Sequence, residues 1–351
     1  PPRSTQSRSS AASDVYKRQV LIISFCILLS AFLYWFYGLD ERTAHDLKKL
    51  FIYYLTGNHP DLNYRNVIEA VDKDDADAVE AFIIKKREIP VSKALQHASA
   101  RGKLKVLAIL IDRGFGVNTP FNGWPPLSSA AIEGQYDAAK LLIENGAKVD
   151  FKNSSGNTPL MIAAGRGFDR LVKLFISAGA DLNCKNKSGL AAVHFVAQNK
   201  VKEFAFSRDK SSYSDEESGK YYKVMTALLS AGANPNLYSK DGWTPVFFAI
   251  SARDPEMVKI LIRGGAKVKV KEPRYGGTPL HLAVAYRDYE SAEVLIKNGA
   301  NINAQAKDGR TPLHCAAVIY DKKMMELLIK NRADPEIKDK YGKKPNDYLN
   351  R

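Results

Sequence analysis

Apolar and polar positions in this chain follow a helical spacing that restarts about every 33 residues. The segment NTPLMIAAGRG at 157–167 is echoed by WPPLSSAAIEG at 124–134 and WTPVFFAISAR at 243–253. GTPLHLAVAYR at 277–287 and RTPLHCAAVIY at 310–320 repeat it again. The threonine position of this pattern falls at 125, 158, 191, 244, 278, 311 and 344, so the steps are 33 or 34 residues except for one of 53. Each unit predicts two helices, a tight turn and a loop. Thr158, Thr244, Thr278 and Thr311 are placed to cap a first helix with their side-chain oxygens. The following proline suits the first helical position, where no N–H is needed. Small residues such as Ala163-Ala164 and Ala316-Ala317 let neighbouring helices approach closely. The second helix ends in an apolar pair, from Leu110-Ile111 through Leu142-Ile143, Phe175-Ile176 and Leu261-Ile262 to Leu328-Ile329. Gly114, Gly146, Gly179, Gly232, Gly265 and Gly299 follow, where a left-handed residue ends a helix at least cost. Such a unit buries its helices only against its neighbours, so the pattern predicts a one-dimensional stack.

The Thr-Pro-Leu-His motif, the period and the terminal glycine together resemble the ankyrin repeat, over 93–351 and more weakly over 61–92. The resemblance implies an all-α solenoid of about seven full units with degenerate caps, spanning 61–351. It also implies a non-enzymatic scaffold that binds proteins through a concave face and its loop fingertips. Carried over position by position, the contact residues are Phe121, Trp124, Lys240, Trp243, Arg274, Tyr275, Tyr286, Arg310 and Tyr341, with Glu133, Arg166 and Lys340 beside them. Rich in Trp, Tyr and Arg, and more basic than acidic, this set calls for a protein partner with an acidic or mixed surface. The resemblance gives His194, His281 and His314 a structural role, bonding back to the threonine position and the neighbouring turn. Some units depart from the pattern. Ala191-Ala192-Val193 replaces Thr-Pro-Leu, Arg332 replaces the glycine, and an insertion of 20 residues enters the 191 unit. The inserted stretch, about 201–221, is Ser- and charge-rich and reads as a disordered loop. The 191 unit is then expected to be the weak joint of the stack.

The N-terminal region has a different pattern. Val20–Tyr37 is a run of 18 uncharged residues ending in Tyr34-Trp35-Phe36-Tyr37. As a helix it spans about 27 Å, close to the hydrocarbon thickness of a bilayer. Its aromatic end suits the headgroup level. The expected organisation is a transmembrane helix at 20–38, a juxtamembrane amphipathic helix and linker at 39–60, and then the repeats. Arg42, Lys48 and Lys49 favour the cytoplasmic side for the repeats. SSAASDVYKRQ, residues 9–19, matches one frame of a transposase-type sequencing-library adaptor, so 1–19 is expected to be foreign to the protein. Two alternatives to a single-pass scaffold stay open. One is a secreted or periplasmic repeat protein with a signal peptide. The other is the regulatory arm of a larger membrane protein, such as a channel or acyltransferase.

Composition adds a few bounds. The net charge of +14 favours acidic partners or an anionic membrane surface, or serves solubility alone. "AKVKVKEPR" and "KDKYGKK" are basic, but no nucleic-acid-binding motif accompanies them, so protein rather than nucleic acid is the expected partner. The three cysteines, at 26, 184 and 315, form no CxxC and no metal-ligand spacing. No catalytic or phosphate-binding motif is present, and no cofactor or metal is expected. Asn153 and Asn186 open glycosylation sequons of low specificity.

Overall fold

The computed structural model describes residues 66–84, 91–198 and 215–349. The adaptor-like segment, the expected transmembrane and juxtamembrane segments and the first part of the insertion lie outside them. No helix among the described residues is long and apolar enough to cross a membrane. The sequence reading treats 61–351 as one array, whereas the chain divides between Gly116 and Val117 into two compact units.

The first unit holds two helix pairs, α1 (Val67–Asp72) with α2 (Ala76–Ile84), and α3 (Val91–Arg101) with α4 (Leu104–Asp112). Asn66 caps α1, its Oδ1 accepting from Ile68 N at 2.9 Å and Glu69 N at 3.1 Å. Helix α1 packs on α3 and α2 on α4. The buried seam runs through Val71, Phe82, Leu95, Val106, Leu107 and Leu110. Arg113 pairs with Glu80, and both side chains are almost fully buried.

The second unit repeats the pair six times. The pairs are α5 (Pro126–Ile132) and α6 (Tyr136–Glu144), α7 (Pro159–Arg166) and α8 (Asp169–Ser177), and α9 (Ala192–Ala197) and α10 (Asp215–Ser230). Then come α11 (Pro245–Ser251) and α12 (Pro255–Arg263), α13 (Pro279–Ala285) and α14 (Tyr289–Lys297), and α15 (Pro312–Val318) and α16 (Lys322–Lys330). A 3-10 turn, Pro345–Tyr348, closes the chain against α15. First helices pack in one row from α5 to α15, and second helices α6 to α14 in another. This is the all-α stack that the period requires, with no strand among the described residues. In each terminal apolar pair the first member (Leu142, Phe175, Leu228, Leu261, Leu295, Leu328) is fully buried. The six glycines after the second helices all take positive φ, and Arg332 takes φ 72° in the same place.

One sequence expectation is corrected. Residues 215–221 are not loop but the opening turns of the 16-residue helix α10. The physical reason is the spacing of Tyr221, Val224, Met225 and Leu228, a single apolar stripe that is wholly buried against the stack. The 191 unit keeps its place in the row, with α9 packed on both α7 and α11 and α10 on α8 and α12, while Ala191 gives α9 no side-chain cap. The capping expectation holds for only part of the set. Thr158 Oγ1 accepts from Met161 N at 3.3 Å and Thr311 Oγ1 from His314 N at 3.5 Å. The Thr278 hydroxyl instead points to His281 Nδ1 at 2.8 Å, and Thr244 makes no cap.

Candidate functional site

The fingers between units are built by one recurring turn. A residue X donates its N–H to the carbonyl four residues on, at Asn153, Asn186, Ser239, Ala306 and Asp339, over 2.8–3.0 Å. A glycine with positive φ sits at X+3 in each. The side chain of X holds the loop when it has an acceptor. Asn153 Oδ1 takes N–H groups from Ser155 and Asn157, and Asp339 Oδ1 from Tyr341 and Lys343. Asn153 is buried in this role, and Asn186 holds Ser188 and Leu190 likewise, so both sequon asparagines are structural here. Neighbouring fingers are tied by a backbone bond from X+1 to the preceding finger: Lys240 N to Ser188 O at 3.0 Å, Lys307 N to Tyr275 O at 2.8 Å, and Lys340 N to Asp308 O at 3.0 Å. Gly309 lies so close to the next finger that a Cβ there would be 2.7 Å from Lys340 N.

The histidines fasten the fingers to the first helices. His281 Nδ1 accepts from Thr278 N at 3.2 Å, leaving the Nε2 proton to donate to Arg310 O at 3.1 Å in the next finger. His314 repeats the arrangement with Thr311 N and Lys343 O. His194 does so with Ala191 N at 3.0 Å and Leu237 O at 2.9 Å, across the insertion. Burial lowers the His194 pKa to about 4 and also lowers that of His281. His194 and His281 are therefore neutral struts, and all three imidazoles bond as the resemblance implies. The 244 unit has Phe247 at the histidine position, and the Thr244 hydroxyl is buried without a hydrogen-bond partner.

One finger differs from the rest. Between Gly265 and Thr278 the chain holds one residue more than between Gly299 and Thr311. The surplus lies in the turn, which closes from Glu272 N to Gly277 O, five residues apart rather than four. Glutamate supplies the longer reach: Oε1 accepts from Tyr275 N at 2.7 Å and Gly277 N at 3.0 Å, and Oε2 from Arg274 N at 2.7 Å. Position X+1 is Pro273, which has no N–H, so the backbone tie to the preceding finger is absent. Pro273 instead lies over Gly242, where an added Cβ would meet its Cδ at 2.1 Å.

At this junction the surface opens into a groove of about 920 Å³. Its floor is apolar, from Trp243, Phe248, Leu282, Ala285 and Cys315, and Tyr275, Arg274, Lys307 and Arg310 rise at its margin. Trp243 stands edge-on to Phe248, with centroids 5.4 Å apart. The Arg274 guanidinium lies 5.0 Å from the centroid of the Tyr275 ring, and Tyr275 is 64% exposed. Burial raises the Cys315 thiol pKa to about 11, so it is an inert apolar group.

Of the contact residues expected from sequence, the groove gathers Trp243, Arg274, Tyr275 and Arg310. Phe121 and Trp124 lie outside it, paired by reciprocal backbone bonds of 3.1 and 3.0 Å around a tight turn. Exposed Lys240 and Tyr341 sit on their own fingertips, and Tyr286 ends α13, away from the fingers. Phe248, Leu282 and Cys315 went unnoticed in the sequence, yet all lie four residues after the threonine position. That shared register was the available signal. Among the described residues no cluster of three or more His, Cys, Asp or Glu could hold a metal ion.

The family comparison agrees with this geometry. A model described as ankyrin repeats (3 copies) matches residues 67–153 and 216–306, more than half of the chain. A single ankyrin repeat matches 155–187 and 308–340. The chain belongs to the ankyrin-repeat family. It is 38% identical over 66 residues to protein phosphatase 1 regulatory subunit 12A of Mus musculus, covering 18% of this chain and 6% of that protein. It is 31% identical over 99 residues to dauer abnormal formation protein 25 of Caenorhabditis elegans, covering 26% of each. A putative ankyrin repeat protein, R599, of Acanthamoeba polyphaga mimivirus is 47% identical over 57 residues, covering 16% of this chain and 15% of that one. The chain thus matches only a small part of each of these relatives. Among solved structures, the ankyrin repeat domain of Bcl-3 superposes with a TM-score of 0.56 at 24% identity, covering 64% of this chain and 93% of that one.

Proposed function

We propose that the second unit is a protein-recognition module whose partner seats in the groove beneath Trp243 and Tyr275. The observation carrying this reading is an open, apolar, aromatic-lined groove bordered by Arg274, Lys307 and Arg310, with Asp241 and Asp308 among them. Aromatic and arginine side chains dominate the energetics of protein interfaces. Thr278 and His281 line the groove with the hydroxyl 2.8 Å from Nδ1, but both are buried and the imidazole is fixed between Thr278 N and Arg310 O, which favours a structural pair and hence binding over catalysis. Proximity labelling with the full chain tests the reading against Ala285→Trp, which fills the groove from an exposed position at the end of α13. Proteins that the variant stops labelling, at an unchanged melting curve, support the groove. An identical labelled set sinks it.

The apolar run Val20–Tyr37 supports a second element of the proposal, a single membrane anchor with the repeats on the cytoplasmic side. Deleting 20–37 should release the protein from membranes into alkaline extracts, and protease protection in sealed vesicles reads the sidedness. A deletion variant that stays membrane-bound would remove the anchor.

A further inference from the structure

Resting on the groove as the recognition face, we infer that the long finger 272–277 makes it selective for an acidic segment carrying one large apolar side chain. The finger brings a protruding aromatic and a cation together at the groove; Lys340-Tyr341 pairs them on the last finger, but outside the groove lining. Where the neighbouring fingers offer two residues at the tip, Lys240-Asp241 and Lys307-Asp308, this one offers three, Pro273-Arg274-Tyr275. Tyr275 and Trp243 face the groove from adjacent fingers across the junction that lacks a backbone tie. A large apolar side chain of the partner fits between them, over Phe248 and Leu282.

The charge of the rim follows from where the fingers spend their carboxylates. Glu272 is buried and turned inward, holding three N–H groups of its own loop. Asp339 is buried in the same manner and further bonded by Tyr348. Asp308 accepts from Arg310 N and lies 3.5 Å from its guanidinium. Asp241 is an exposed carboxylate of the lining, and against it stand the exposed bases Arg274 and Lys307, with Lys271 and Lys340 exposed on the fingers outside the lining. A partner carboxylate beside the apolar anchor therefore meets Arg274 and the ammonium of Lys307, which bonds Pro273 O with one of its donors and has others to give. The fork of Arg274 favours a carboxylate over a neutral acceptor.

Selection of random 12-residue peptides displayed on phage, against the full chain in detergent, tests the inference. The expected winners place Asp or Glu within a few residues of Trp, Phe or Leu. They should lose at least tenfold in affinity to a variant in which Pro273-Arg274-Tyr275 is replaced by Lys-Asp. The charge-reversed pair Arg274→Glu with Lys307→Glu should redirect selection toward Lys- and Arg-bearing peptides. Winners that require an open groove, tested with Ala285→Trp, but show no acidic bias would overturn the inference and leave the groove reading standing. Winners indifferent to Ala285→Trp, or no winners, would overturn both. Displacement of the winners by a single-stranded oligonucleotide that binds more tightly would assign the basic rim to nucleic acid instead.

Discussion

At the scale of single residues, the threonines of the repeat are not equivalent. Thr311 Oγ1 serves both its helix and His314, whereas the Thr244 hydroxyl is buried with no partner. Thr311→Val should therefore cost about 1–2 kcal/mol in urea unfolding. Thr244→Val, an isosteric loss of an unsatisfied group, should cost about nothing or stabilise slightly. Equal penalties would mean that the hydroxyl of Thr244 has a role its surroundings do not show. The sequence signalled this difference, since the residue three positions on is His314 in one unit and Phe247 in the other. The left-handed backbone at Arg253, Arg287 and Tyr320 gave no such sign. Glycine holds φ positive at the matching positions 102, 134 and 167, and only the geometry shows that larger side chains accept the same strain.

At the scale of elements, the histidine struts give the array a defined response to acid. His194 is neutral in the folded state because burial lowers its pKa to about 4, against about 6.5 when exposed. The unfolded chain then binds the proton more readily. The stability this residue contributes is complete above about pH 6.5 and declines as pH falls toward 4. The loss approaches roughly 3 kcal/mol at the lower end. Urea midpoints of the native chain and of His194→Gln, measured from pH 7 to pH 4, should converge as the pH falls. Parallel curves would show that His194 keeps an ordinary pKa. The helices and their order were legible in the sequence because the period sets both helices of each unit. The first turns of α10 were not, because their polar residues read as part of the inserted loop. The groove was half legible. Trp243, Arg274, Tyr275 and Arg310 were found through their fingers, but the floor depends on which first-helix side chains face the junction beside them.

At the scale of the molecule, the second unit is a stack in which each helix pair meets only its neighbours. Damage should therefore stay local. Leu328→Ala removes a fully buried side chain from α16 and should cost about 2–5 kcal/mol in its own unit. Amide exchange in α15 and α16 should rise by at least thirtyfold while that in α5 and α6 changes little. A uniform rise from α5 to α16 would show that the stack unfolds as one body. In that case the groove would be braced by the whole array, not by its adjacent pairs.

The extra residue of the 272–277 finger has a further consequence. A residue added within a helix turns every later side chain by about 100°, enough to throw all following units out of phase. Added at a fingertip, it is absorbed before the next helix begins, and α13 and α15 continue the row unchanged. From residue 215 the insertion lengthens α10 at its N-terminal end, ahead of the buried stripe, and α10 keeps its place between α8 and α12. The scaffold thus separates its wavelength from its reach. Its recognition surface can be edited by length as well as by substitution, without retuning the helices beneath it.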